Sequence, residues 1–120
     1  AIWPKDIQFM RRNDVLKGDE IPQLFYSNAT IDLSEDGNGF TQENVFSYWR
    51  DASKTFTIER ASFGDIKSID FKKDSELVTT SITITRLDDT SFDLYVPSDK
   101  GDDKYFYQTL KELWQAKQPN

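Results

Sequence analysis

The sequence predicts a mainly-β α+β domain: a small, bent antiparallel barrel capped by one C-terminal amphipathic helix. Three observations carry that expectation. Two runs of apolar/polar alternation, Ser81–Arg86 and Phe92–Val96, flank a polar stretch at Leu87–Thr90, the pattern of a half-buried hairpin. Phe106, Leu110, Leu113 and Trp114 then recur at helical spacing on one stripe, which must cover something apolar. Finally, 120 residues make one domain, and 9 Phe, 5 Tyr and 3 Trp supply its core, so residues 1–120 are read as a single unit.

The elements follow in chain order. Residues 1–28 carry the least pattern; Ile7–Met10 and Leu24–Tyr26 read as short strands, with Gly18 and Pro22 marking the loop between them. Thr30–Ser34 alternates, and Glu35-Asp36-Gly37-Asn38-Gly39 reads as a hairpin turn whose glycines supply positive φ. Phe46–Trp49 pairs with Thr55–Glu59 across Arg50–Lys54, although aromatic spacing also fits a short helix there. Phe63–Ile66 is a bend, Lys67–Phe71 a strand with Ile69 and Phe71 inward, and Lys72–Ser75 a polar turn. In the hairpin, Ile82 and Ile84 face one way with Phe92, Leu94 and Val96, and Pro97 ends the second strand by lacking a ladder donor. Ser98 or Asp99 caps the helix, Asp102 and Asp103 favour its positive end, and it runs from about Asp102 to Lys117 before Pro119.

Composition excludes more function than it assigns. The chain has no Cys and no His, which removes disulfides, thiolate nucleophiles, the commonest zinc ligands and any His-based triad. Serines such as Ser34, Ser62 and Ser98 therefore have no imidazole to activate them. A net charge of -6, spread over both halves of the chain, speaks against nucleic acid and strong anionic-membrane binding. No apolar run is long enough to span a bilayer as a helix. Ala1 fits the terminus left by a removed signal peptide and equally the end of an excised piece, so a cytoplasmic and a secreted or periplasmic setting both stay open. Asn28-Ala29-Thr30 matches a glycosylation sequon, a tripeptide that is common by chance.

Four groups of residues invite a functional reading. From Asp32 to Glu43, the residues Asp32, Ser34, Asp36, Gly37 and Glu43 occupy positions 1, 3, 5, 6 and 12 of a calcium-loop spacing. Against calcium, Gly39 stands where such loops place an aliphatic residue, and the entering flank is β-like; a hairpin turn is the preferred reading. Arg11, Arg12 and Lys17, and separately Lys72 and Lys73, are the basic clusters, each with acidic neighbours. The pairs Glu35-Asp36, Asp88-Asp89 and Asp102-Asp103 read as solvated turn and helix-start carboxylates with no burial to tune them for catalysis. Trp3, Tyr48 and Trp49 form a contact patch if exposed; a core position is expected more for Trp49 than for Trp3.

The stretch Phe63-Gly64-Asp65-Ile66-Lys67-Ser68-Ile69-Asp70-Phe71 resembles a phrase of pleckstrin-homology-like domains, particularly the bacterial PH and GRAM groups. The hairpin at 82–96, Val96-Pro97-Ser98 and the closing helix continue the resemblance, Leu33–Gly37 is similar to an early turn of such domains, and Trp114 is similar to the helix tryptophan that plugs their barrel. It spans roughly residues 29–116. It implies a seven-stranded, strongly bent barrel and a binding or scaffolding role. The basic residues with which such domains hold phosphoinositide headgroups have no secure counterpart here. The expectation is thus a non-catalytic interaction module for a protein or peptide, without a cofactor and with no catalytic or metal residue assigned. A calcium-dependent adhesion or regulatory module using the 32–43 loop is the alternative, and a carboxylate-dependent hydrolase the further one.

Overall fold

The computed structural model describes residues 4–27, 36–51, 53–73, 79–97 and 101–118, with side chains described at all of these except 4–6, 73 and 79. Helix α1 (Pro4–Arg12) is followed by β1 (Leu24–Tyr26), β2 (Asp36–Phe40), β3 (Asn44–Arg50) and β4 (Phe56–Ser62). A 3-10 turn (Phe63–Asp65) leads into β5 (Ile66–Lys73), β6 (Thr79–Arg86), β7 (Ser91–Pro97) and helix α2 (Asp102–Ala116). The first sheet has the order β1-β2-β3-β4 and the second β5-β6-β7, both antiparallel. The fold is therefore mainly-β α+β with a C-terminal helix, as the sequence predicts.

Register decides which side chains share a face. Val45 lies opposite Ala61, and Phe40 opposite Val45; this inner face joins Ile69, Ile82, Ile84, Leu94 and Val96 of the second sheet, with Phe106 and Leu110 of α2, in one core. Successive strand residues point to opposite faces, so Phe46 and Tyr48 look outward. There they meet Met10, Val15 and Leu16 of the N-terminal segment in a second core. The first sheet is thus covered on both faces. That is why β3 reads as a nearly continuous apolar run without alternation.

The β6–β7 and β3–β4 loops use one device. Arg86 N–H donates to Thr90 O (2.8 Å) and Asp89 N–H to Arg86 O (3.0 Å); Asp51 N–H donates to Thr55 O (3.1 Å) and Lys54 N–H to Asp51 O (2.8 Å). Both are three-residue loops with a left-handed last residue, Asp89 at φ 70 and Lys54 at φ 66, a turn that matches strand twist. The side chains reinforce it. Hydrogen bonds from the Ser53 hydroxyl and the Thr55 and Ser53 amides hold the Asp51 carboxyl below its ordinary pKa, and those from Thr90 do the same for Asp88.

The seam between the sheets is polar but satisfied. Arg86 donates to Glu59 Oε2 (2.7 Å) and Arg60 O (2.9 Å) and lies 4.9 Å from the Phe92 ring centroid. Leu87 N–H donates to Asp65 O (3.0 Å). On α2, Phe106 and Leu110 are fully buried, while half-buried Trp114 donates its indole N–H to Ile66 O across 3.2 Å. No described helix is long and apolar enough to cross a membrane.

Four expectations need correction here. Ile7–Met10 belongs to a helix: Ile7 and Met10 are three apart and face the second core, but in so short a stretch the spacing to Phe9 mimics a strand. Pro4 at the start and Arg11 and Arg12 in the last turn were the helix signals. Asp36–Gly39 is strand, not turn, and among the described glycines positive φ is confined to Gly18 and Gly101. Lys72 and Lys73 extend β5, with Asp74 and Ser75 outside the described residues. Gly101, at φ 77, occupies the position before α2; Ser98 and Asp99 lie outside the described residues.

Candidate functional site

The proposed calcium spacing is not a loop over its described part. Asp36 to Phe40 are extended between β1 and β3, where a calcium loop needs its sharp turn at Gly37. Asp36 accepts the Ser27 hydroxyl (2.8 Å), and exposed Glu43 stands 3.8 Å from Lys117 Nζ. Asp32, Ser34 and Glu35 lie outside the described residues. The two glycines serve packing. A Cβ on Gly37 would stand 2.5 Å from the Tyr48 ring and 2.6 Å from Phe25, and one on Gly39 would stand 2.9 Å from Phe46. Phe25 stacks on both rings, with centroids 6.2 Å from Phe46 and 6.3 Å from Tyr48.

The basic clusters stay apart. Arg11, Arg12 and Lys17 are exposed on and beyond α1, with Arg11 donating to Glu20 O (3.1 Å), whereas Lys72 is exposed on β5. The acidic pairs behave differently from one another. Asp88 and Asp89 are exposed at the β6–β7 loop and Asp102 is half-buried, but Asp103 is fully buried, with Thr80 Oγ1 donating to its Oδ2 at 2.7 Å. That burial overturns the expectation of solvated carboxylates: Asp103 sits on the inward side of the first turn, where the positive end of the helix dipole favours it. Ser62 is exposed at the end of β4; Ser34, Ser98 and Trp3 lie outside the described residues. Tyr48 is core, while Trp49 is 37% exposed; the core position expected of Trp49 is corrected, because it lies at the end of β3, paired with Asp36 and Thr57.

Glu20, which the sequence did not single out, is the polar anchor of the N-terminal segment. Its carboxylate accepts hydrogen bonds from Asn44 Nδ2 (2.6 Å), Lys17 N–H (2.8 Å), Thr41 Oγ1 (3.0 Å) and Arg60 Nη2 (3.0 Å). Burial pushes this carboxyl up, but the bonds from Lys17, Asn44 and Arg60 outweigh it and hold the group below its ordinary range. Arg60 also donates to Val15 O. These bonds fasten the segment after α1 onto β3 and β4.

Two surface concavities gather chemistry. The larger, about 540 Å³, runs along α2 beside β5. Phe71 and Tyr107 form its apolar floor, with ring centroids 5.0 Å apart, and Lys104 and Lys111 stand on its helical wall. Lys104, Tyr107, Gln108 and Lys111 lie three or four residues apart, so they share one face of α2 next to the buried stripe. The smaller, about 350 Å³, lies at the corner between the sheets and is lined by Trp49, Glu59, Ser91, Phe92, Asp93 and Tyr95. Asp93 accepts the Thr83 hydroxyl (2.6 Å), and Tyr95 OH approaches Asp93 Oδ2 at 3.5 Å. Partial burial, then the charge of Asp93 and that contact, raise the Tyr95 phenol above its ordinary pKa.

No family model, curated protein or solved structure matches this chain. Function is therefore read from the chemistry of these surfaces.

Proposed function

We propose that the chain is a non-catalytic interaction module of pleckstrin-homology-like build, which takes an extended segment of a protein or peptide partner in the groove between β5 and α2. The observation that carries this is the position of β5. Among the described strands it is one of the two edges of its sheet, and the groove beside it has an aromatic floor. An edge strand offers backbone donors and acceptors to an incoming strand, and alternate pockets then read its side chains. Phe71 and Tyr107 suit an apolar or aromatic side chain, and Lys104 and Lys111, which outnumber Glu112 on the same wall, suit acidic neighbours. The run of antiparallel strands from β2 to β7 followed by α2, which falls within the span of the resemblance, supports the same reading.

The hydrolase alternative would use Glu59 and Asp93, the two non-adjacent carboxylates of the corner cleft. Both are committed to the fold, Glu59 to Arg86 and Asp93 to Thr83. Carboxylates held in place by these structural bonds favour a binding role over a catalytic one.

The test is selection from a peptide display library, followed by titration of the selected acidic, aromatic-containing peptides into isotope-labelled protein. Amide shifts on β5 and α2, lost with Tyr107→Ala and weakened by Lys111→Glu, are expected. Selected peptides that map away from this groove, or that bind both variants as well as the parent, would overturn the reading.

A further inference from the structure

Among the described residues, five large apolar side chains are well exposed, and two of them, Trp49 (37%) and Tyr95 (46%), border the same corner cleft. The first comes from the end of β3 and the second from β7, so the two sheets bring together rings that are distant in sequence. Glu59 and Asp93 add two carboxylates to the same walls. The cleft also has a built-in precedent for a cation on an aromatic face, since the Arg86 guanidinium already lies over Phe92.

We infer that the corner cleft is a binding site for an alkylated ammonium head, held between the Trp49 and Tyr95 rings in the field of Asp93. Aromatic faces attract a cation through their quadrupole, most strongly for tryptophan. The choice of an alkylated over a primary ammonium follows from the carboxylates. Glu59 already accepts from Arg86 and Asp93 from Thr83. They therefore offer few new hydrogen bonds, which suits a cation with few or no N–H donors to satisfy, and Asp93 supplies the charge, because that of Glu59 is matched by Arg86 at 2.7 Å. A net charge of -6 steers such a cation toward the protein. This site is separate from the β5–α2 groove and does not depend on it.

Two probes distinguish the sources of such a head: choline chloride for a small molecule, and the acetylated amide of trimethyl-lysine for a partner's side chain. Each is titrated into isotope-labelled protein at matched ionic strength, beside sodium chloride and the uncharged carbon isostere of choline. Saturable shifts of the Trp49 indole N–H and the Tyr95 and Asp93 amides are expected with at least one probe. The tighter probe names the source. Trp49→Ala and Asp93→Asn should each weaken binding by about fivefold or more, with Ile21→Ala, a charge-neutral change at an exposed residue outside both sites, as an unaffected control. Asp93→Asn keeps the size of the side chain, so it remains informative if Trp49→Ala unfolds. Equal binding of the uncharged isostere, shifts no larger than those of sodium chloride, or binding indifferent to both variants would overturn the inference.

Discussion

Asn38 Oδ1, on the inner face of β2, accepts the backbone N–H of Tyr95 on β7 across 3.1 Å, joining one sheet to the edge of the other. The same oxygen accepts the Ser47 hydroxyl at 2.9 Å, and Asn38 is 2% exposed. β7 is an edge strand whose outer N–H groups have no β-ladder partner in its own sheet. Buried edge groups must be paired, and here a side chain substitutes for a neighbouring strand. Asn38→Ala should therefore destabilise the fold by about 1–3 kcal/mol, the cost of stranding a buried donor. Ser47→Ala removes a donor and keeps the inter-sheet bond, so it should cost less. Urea unfolding of both variants checks the order.

Gly37→Ala should destabilise by about 1–3 kcal/mol through overpacking, because its Cβ would press on Tyr48 and Phe25. The cause is space and not φ, so a second mutation should relieve it. Combining Gly37→Ala with Tyr48→Leu should cost less than the sum of the two single changes. Strict additivity in a double-mutant cycle would contradict the packing account.

Phe106→Ala should cost about 3–5 kcal/mol, the range for a fully buried aromatic. Trp114→Ala should cost less, since Trp114 is half-buried, and Trp114→Phe should recover all but the hydrogen bond to Ile66, about 1 kcal/mol. A chain ending at Lys100 should not fold cooperatively, because Leu94, Val96 and Ile82 would lose their cover. Calorimetry of the three variants and the truncation tests this.

Glu20 should contribute to acid sensitivity. Its folded pKa lies below the ordinary 4.5, so its stabilisation is fully present above that value and is lost as pH falls through the folded pKa. Glu20→Gln should lower stability at neutral pH by about 1.5–3 kcal/mol, the range for hydrogen bonds to a charged group. It should also narrow the gap to the parent as pH drops below 4.5. Asp51 and Asp88 shift the same way, so the difference between parent and variant, and not the parent curve alone, isolates Glu20. Stability measured against pH for both proteins decides it.

Lys54→Gly should stabilise slightly. Lys54 holds φ 66 at the loop position where glycine is least strained. Relief of a left-handed residue gains about 1–2 kcal/mol, partly offset by about 0.4–1 kcal/mol of added chain entropy in the unfolded state. A melting temperature unchanged or lowered would show that the loop strain is carried elsewhere.

The sequence by itself determined the elements whose partners are local. The β6–β7 hairpin, the stripe on α2 and the bend at Phe63–Asp65 were legible because alternation, helical spacing and turn chemistry act within a few residues; β3 was legible only as one of two readings, strand or short helix, because both of its faces are covered. Tertiary structure decided the rest. Gly37 and Gly39 look like a turn in isolation and become strand because Tyr48, Phe46 and Phe25 need the room their missing side chains leave. Ile7–Met10 is helix because it must lay one face on the outer side of the first sheet. Asp103 is buried and Trp49 exposed because of where α2 and the end of β3 land, which no local spacing encodes. The corner cleft and the β5–α2 groove exist only once separate elements meet. Their chemistry was present in the chain throughout, but long-range packing brings Trp49 to Tyr95 and Phe71 to Tyr107.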